Sequence, residues 1–369
     1  MGDNTFGMKF KITSFGESHG KVVGVVIDGS PAGLKLDLNF IQSEIDRRKP
    51  GKSKVSTTRK EPDKVEILSG IFNNKTTGAP ICLIIKNLDV DSSNYQNYRD
   101  FLRPSHVDYV TLQKYGEFAD YRGSGRFSGR ITAGFVMAGA MAKQILSKFN
   151  ISIIAYTKSI GNIEDNQDYS NSSLETLIQQ REKSLVGALD IELSRKMEKE
   201  IEIAKKDKDS VGGKIQCIIN NVPPGIGGPI FNSLESNISR AIFAIPAIKG
   251  IEFGAGFKAS TMRGSEHNDP WTIINGKIRT TKNDSGGIIG GLSTGMPIIF
   301  TLAVKPTPSI GKVQKTVNIR RMKEEDISFE GRNDPCIVPR AVVVVESIAA
   351  IVILDHLLIE GKIPSVLED

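Results

Sequence analysis

Val25-Val26-Ile27, followed by Pro31-Ala32-Gly33-Leu34 and an amphipathic stretch ending Ile45-Asp46-Arg47, is answered later in the chain. There Cys217-Ile218-Ile219 leads through Pro223-Pro224-Gly225-Ile226 into Leu234 to Arg240. Each copy reads as strand, turn and helix, because an apolar run is punctuated by Pro and Gly before apolar residues recur at helical spacing. Two further pairs keep the same order. Thr77-Gly78-Ala79-Pro80-Ile81 opens one apolar run and Thr294-Gly295-Met296-Pro297-Ile298 another. Gly125-Arg126 and Arg130 precede a small-residue apolar helix from about Ile131 to Phe149, while Gly331-Arg332 and Arg340 precede the apolar run near the C-terminus. A single pair arises by chance, since Pro-Gly turns beside strands are common, but three pairs in one order indicate an internal duplication. Two such units must each bury a sheet face and an apolar helix, so their helices pack between their sheets. The expectation is an α+β fold: an internally duplicated β-α-β sandwich, sheets outside and helices inside. One domain spans residues 1–369, with halves over about 1–150 and 210–369. The charged stretch from Ser172 to Lys208, with Leu174, Leu177, Leu185, Leu189 and Ile203 among Glu and Lys, reads as a solvent-facing helical connection between them.

Composition narrows the function. A net charge of +6 is modest for 369 residues, and the basic side chains are spread through Gly/Ser loops, which favours a small acidic ligand over a polyanion. The three cysteines, Cys82, Cys217 and Cys336, form no CxxC pair, so a reducing cytoplasmic setting without a metal site is expected. No basic and apolar leader opens the chain. The apolar run Ala341 to Ile359 is interrupted by Glu346 and Asp355, which are costly in a bilayer, and reads as a buried helix.

Chemistry concentrates in a few loops. Gly16-Glu17-Ser18-His19-Gly20 sets one of only four histidines between a hydroxyl and two glycines, a polar and open setting for proton transfer. Arg103-Pro104-Ser105-His106-Val107-Asp108 repeats the theme. Tyr121-Arg122-Gly123-Ser124-Gly125-Arg126-Phe127-Ser128-Gly129-Arg130 places three arginines before an apolar helix, where free N–H groups and the dipole favour an anion. No GxxxxGK[ST] is present, and Gly286 to Gly291 leads into a strand-like run instead of a helix, so neither nucleotide fingerprint applies. Lys305-Pro306-Thr307-Pro308-Ser309-Ile310 offers a cation and hydroxyls. Glu330-Gly331-Arg332-Asn333-Asp334-Pro335-Cys336 sets a carboxylate before the last helix, where a plain N-cap with Arg332 as surface partner is the structural alternative. Arg47, Arg48, Lys49, Lys52, Lys54, Arg59 and Lys60 read alone as a solvated basic loop, or as a lid that recruits an anion. His356, in an apolar run, reads as a core residue, and His267 as a loop residue.

In order and over nearly the whole chain, these segments together with Asp209-Ser210-Val211-Gly212-Gly213 resemble the chorismate synthase family. The resemblance implies conversion of 5-enolpyruvylshikimate 3-phosphate to chorismate and phosphate with reduced FMN, at the last common step of the shikimate pathway. It further implies a homotetramer whose protomer sandwiches helices between two antiparallel sheets, with NADPH as a possible reductant and no nucleic-acid or membrane partner. Carried over by position, the resemblance gives His19 the departing phosphate and His106 the reduced flavin ring. Asp334 takes part in ring-proton removal, with Ser18 and Ser128 orienting these groups. Arg126, Phe127, Ser128, Pro246, Ala247, Gly290, Lys305, Pro306, Thr307, Pro308, Ser309 and Arg332 match flavin-binding segments. Arg48 and Lys54 match the cofactor and substrate rim.

The chain departs from the family pattern at several of these positions. Asn333 stands in place of His, Phe127 in place of a small polar residue, Ser124 in place of Gly, Lys54 in place of Arg and Pro246 in place of Asn. Asn333 keeps a hydrogen-bonding side chain but cannot relay a proton near neutral pH, and Lys54 loses the bidentate fork. These departures leave a flavin-dependent oxidoreductase on the same scaffold as an alternative, distinguished by net consumption of reduced cofactor. A nucleic-acid binder using the Arg-Gly loop would show steep salt dependence, and the modest charge and missing aromatic stacking pattern disfavour it.

Overall fold

The computed structural model describes residues 2–51, 61–89, 98–170, 172–329 and 334–368. Two five-stranded sheets frame the described residues. The first holds β1 (Thr5–Phe6), β2 (Lys11–Gly16), β3 (Val22–Asp28), β4 (Val65–Ile67) and β5 (Ile81–Lys86), in the order β1-β2-β3-β5-β4. The second holds β6 (Ser152–Ile160), β7 (Ile163–Glu164), β8 (Gly213–Asn220), β9 (Ile248–Phe253) and β10 (Ile298–Val304), in the order β9-β10-β8-β6-β7. Every neighbouring pair is antiparallel.

Strand alternation sets which face is buried. Val23, Val25 and Ile27 lie opposite Ile85, Leu83 and Ile81, and all six are fully buried on one face of the first sheet. In the second sheet Ile215, Cys217 and Ile219 lie opposite Leu302, Phe300 and Ile298 in the same way. Both faces meet the helices α1 (Leu38–Arg48), α3 (Thr132–Lys148) and α7 (Val338–Ile359) in one core. Small residues allow the close approach. A Cβ on Gly134 of α3 would stand 2.9 Å from the Gly24 carbonyl oxygen of β3, and one on Gly139 would stand 2.7 Å from the Ser347 carbonyl oxygen of α7.

As its two acidic interruptions suggested, the long apolar segment is a core helix: α7 is long and apolar enough to cross a membrane, yet 89% of its apolar window is buried inside the protein. Both carboxylates are satisfied there. Asp355 accepts the backbone N–H groups of Met8, Lys9 and Phe10 at 2.9, 2.7 and 2.8 Å. Glu346 takes Arg47 of α1 at 2.7 Å, Lys143 of α3 at 2.5 Å, Arg181 and the Ala155 amide. Burial alone would raise the Glu346 carboxyl, but these three cations outweigh it and hold it well below the usual carboxylate range.

The connection between the sheets differs from expectation. It contains α4 (Leu174–Glu182) and α5 (Ile191–Lys206), which do not simply face solvent. Leu177 and Leu189 close over Ile154, Tyr156 and Ile218 on the other face of the second sheet, forming a separate small core. The apolar residues of this stretch therefore cover a sheet face that an open sandwich would expose.

Candidate functional site

The Gly16 to Gly20 turn ends β2, and the loop from Tyr121 to Arg130 lies against it. Ser18 is buried, and its N–H donates to the Gly125 carbonyl at 3.2 Å. Gly123 has φ +55°, and a Cβ on it would stand 2.6 Å from His19 Nε2 and 2.9 Å from Ser18 Oγ, so only glycine lets this backbone reach the ring. Two arginines of the loop act as clamps. Arg126 donates to the Gly16 carbonyl at 2.9 Å, the Ser14 carbonyl at 3.1 Å and Asn4 Oδ1 at 2.9 Å. Arg130 reaches the buried Asp63 at 2.5 Å and Asn87 Oδ1 at 2.9 Å, while Asn87 donates onward to the Glu17 and Gly20 carbonyls at 3.0 and 2.8 Å. Arg122 pairs with Asp120. All three guanidinium groups thus have protein partners, and those of Arg126 and, through Asn87, Arg130 hold the His19 turn in place.

The same loop holds the second histidine. Ser124 Oγ lies 3.1 Å from His106 Nε2, and His106 Nδ1 lies 2.9 Å from Asp108 Oδ1. Arg103 clasps the Asp108 carboxylate with two side-chain bonds of 2.7 and 2.8 Å and a backbone bond of 3.0 Å. Burial would raise the Asp108 carboxyl, but hydrogen bonds and charge from His106 and Arg103 hold it well below its ordinary range. Asp108 begins α2 (Asp108–Tyr115), so the motif closes at a helix start where a carboxylate is also favoured by the dipole. Lys305, at the end of β10, donates from Nζ to the Ser105 carbonyl at 2.7 Å and from its backbone to the Ala247 carbonyl at 2.9 Å. Burial, then the neighbouring Lys249, lowers its pKa. Ala247 sits at φ +72°, a conformation an alanine adopts only under constraint.

Asp334 is buried and pairs with Arg340 of α7. The N-cap of α7 is Ile337, with no side-chain cap, so Asp334 is not the helix cap that its place before a proline suggested. Arg340 lies in the first turn of the helix and reaches back, and its Nε also donates to the Arg48 carbonyl at 3.0 Å. The Asp334 carbonyl accepts from Thr307 Oγ1 at 2.9 Å, Ser210 Oγ donates to the Thr307 carbonyl at 2.7 Å, and the Val211 amide donates to the Pro335 carbonyl at 2.9 Å. Arg48, at the end of α1, is buried instead of solvated: it donates to Thr132 Oγ1 at 2.9 Å and the Gly129 carbonyl at 2.7 Å. Ser128 caps its own turn by accepting the Arg130 amide at 3.2 Å. Lys54, Arg332 and Asn333 lie outside the described residues, as does most of the basic stretch after Lys49.

A cavity of about 1870 Å³ opens beside these loops, lined by His19, Arg103, Ser124, Arg126, Phe127 and Ser309 among others. Gly290 stands at a hairpin turn near the start of α6 (Leu234–Ile242), and it lies outside that lining, as do Pro246, Ala247, Asp334 and Lys305 to Pro308. The cavity exceeds the several hundred cubic ångströms typical of a single small ligand, leaving room for two. Tyr115, Tyr121, Phe127 and Phe135 give it flat apolar walls of the kind that hold an aromatic ring such as that of reduced FMN, among charged side chains of both signs. Among the described residues no cluster of His, Cys, Asp or Glu could hold a metal ion. Asp108, Gly123, Asn87 and Arg340 were not singled out as site residues from the sequence. Asp108 had a visible signal, two positions after His106; Asn87 and Arg340 act through contacts from distant segments.

Two histidines tied to one Gly-rich loop, beside a large cavity with charged and aromatic walls, are the arrangement of an α+β enzyme of small molecules. A family profile described as chorismate synthase matches residues 10–358. A chorismate synthase of Dehalococcoides mccartyi is 51% identical over 365 residues, covering 99% of each chain. One of Korarchaeum cryptofilum is 50% identical over 358 residues, covering 97% of this chain and 98% of the relative. A crystal structure of chorismate synthase superposes with a TM-score of 0.76 at 30% identity, covering 96% of this chain and 93% of that one. The chain belongs to the chorismate synthase family. Its activity is that of a lyase which converts 5-enolpyruvylshikimate 3-phosphate to chorismate and phosphate at the end of the shikimate pathway.

Proposed function

We propose that the 1,4-elimination takes place in the cavity beside His19 and His106, with the two histidines at work on its two ligands. The observation that carries this reading is the Gly123-Ser124 pair, which touches His19 with one residue and His106 with the next. Reduced FMN, once bound, would supply electron density and a basic ring nitrogen to the elimination. His19 donates a hydrogen bond or proton to a phosphate oxygen, and Ser18 beside it orients that contact. His106, held by Asp108 through Nδ1, stabilises negative charge on the cofactor, and Asp334 takes part in ring-proton removal. Arg48 and Ser128 shape the loop at Gly129 and Arg130, and Lys305 steadies the His106 segment from the second sheet. The family resemblance adds Lys54 to the substrate and cofactor rim, and Arg332, Pro246, Ala247, Gly290 and Pro306 to Ser309 to the cofactor-binding segments.

The test is turnover of His19→Ala and His106→Ala, each expected to fall about 10²- to 10⁴-fold, as for lost proton transfer, with the melting temperature kept. His356→Ala should do the reverse. His356 is buried in α7 with its Nε2 3.2 Å from Asn237, so its loss costs stability. Parental turnover in both motif variants would reject the site.

The wider reading has structural support too. In the first sheet β2, β3, β5 and β4 follow one another, and in the second β6, β8, β10 and β9 do so, with α1 and α6 after the second strand of each set. This parallel order supports one domain built from duplicated halves. Exposed Ile230, Phe231, Phe257, Ile273 and Ile278 support burial between copies in a homotetramer. Three free cysteines support a reducing cytoplasm, where NADPH is at hand to reduce the flavin.

A further inference from the structure

β5 runs antiparallel to β3 with Lys86 opposite Val22, so the next residue, Asn87, falls beside the His19 turn where β3 begins. The Asn87 backbone N–H donates to the Lys21 carbonyl at 3.1 Å. Its side-chain Nδ2 donates to the Glu17 carbonyl at 3.0 Å and the Gly20 carbonyl at 2.8 Å, one on each side of Ser18 and His19. The turn's own closing bond, from the Gly20 amide at 3.1 Å, ends on the same Glu17 oxygen. On its other side the turn meets the Arg-Gly loop, through the Ser18 amide on the Gly125 carbonyl and the His19 ring against Gly123.

The direction of the Asn87 amide is set from behind. Arg130 Nε donates to Asn87 Oδ1 at 2.9 Å, which leaves the NH2 group to face the two carbonyls. Arg130 is fixed in turn by Asp63, a fully buried carboxylate 2.5 Å away. A carboxylate in place of Asn87 would accept from Arg130 but would have no N–H for the turn.

We propose that Asn87 is a positioning residue of the elimination: its carboxamide, held by Arg130 and Asp63, fixes the turn that aims His19 at the departing phosphate. The proposal rests on the reading that His19 serves that phosphate. Asn87 moves no proton and acts only through the backbone on either side of His19. A displacement of about 1 Å in a group that must meet the reacting atoms costs about 10²-fold in rate, so a clip on the turn has a kinetic consequence beyond stability.

Two variants remove the donor in different ways. Asn87→Ala deletes the carboxamide, while Asn87→Asp keeps its shape and its acceptor for Arg130. Both should lower turnover about 10- to 100-fold and move the His19 imidazole resonances of the ligand-free protein, with folding confirmed by melting curves. Each is then combined with His19→Ala. Once the ring is gone its position no longer matters, so the second substitution should change turnover by less than about twofold. The positioning role is overturned, and His19 left standing, by any of four results: the same loss in the His19→Ala background, a loss confined to Asn87→Asp, unmoved His19 resonances, or parental turnover in Asn87→Ala while His19→Ala is impaired. Parental turnover in His19→Ala overturns both.

Discussion

A methyl group added to Gly123 would stand 2.6 Å from the Nε2 atom of His19, closer than two non-bonded atoms can approach. The Arg-Gly loop and the first histidine turn thus act as one unit. Gly123→Ala must displace the ring or the loop, and also places a side chain at φ +55°, costing about 1–2 kcal/mol. Turnover should fall about 10²-fold, the scale set by misplacing a catalytic group by roughly 1 Å. Steady-state turnover alongside a melting curve checks this. A stable variant with parental turnover would show that His19 does not depend on the loop.

Asp334→Asn separates chemistry from architecture. The substitution keeps the side-chain shape and the Thr307 contact to the Asp334 backbone, and α7 is capped elsewhere, at Ile337. Substrate and flavin should still bind, while turnover drops sharply and the isotope effect on the transferred proton rises as that step becomes limiting. A variant silent in both would assign the Asp334 and Arg340 pair to structure alone.

Glu346 makes the most concentrated set of ion pairs in the core. Glu346→Gln leaves Arg47, Lys143 and Arg181 without their shared charge, and breaking a buried pair typically costs about 3–5 kcal/mol. The folded carboxyl titrates below the unfolded one, so its contribution is present above the unfolded pKa and is lost as pH falls through the folded value. Denaturant unfolding as a function of pH should show the variant's deficit at neutral pH shrinking in acid. A deficit that stays constant down to strongly acidic pH would contradict the ionised assignment.

Much of the frame was legible in the sequence because it follows local rules. The helix expected from about Ile131 to Phe149 is Thr132–Lys148, and the strands around Val25 and Ile218 carry the alternation that buries them. What escaped depends on contacts between distant segments. The buried partners of Arg48 and Arg130 come from other loops, so the charge pattern alone read as solvated or anion-seeking. The face covered by Leu177 and Leu189 escaped for the same reason, since amphipathic spacing shows that a helix has an apolar side but not which surface receives it.

The most direct test of the account is an anaerobic assay with 5-enolpyruvylshikimate 3-phosphate and photoreduced FMN. Chorismate and phosphate should be followed together with the flavin absorbance. The account predicts equal yields of chorismate and phosphate over many turnovers with the flavin still reduced at the end, because the elimination is redox-neutral. Oxidation of one flavin for each substrate consumed would contradict it and identify a net oxidoreductase on this scaffold.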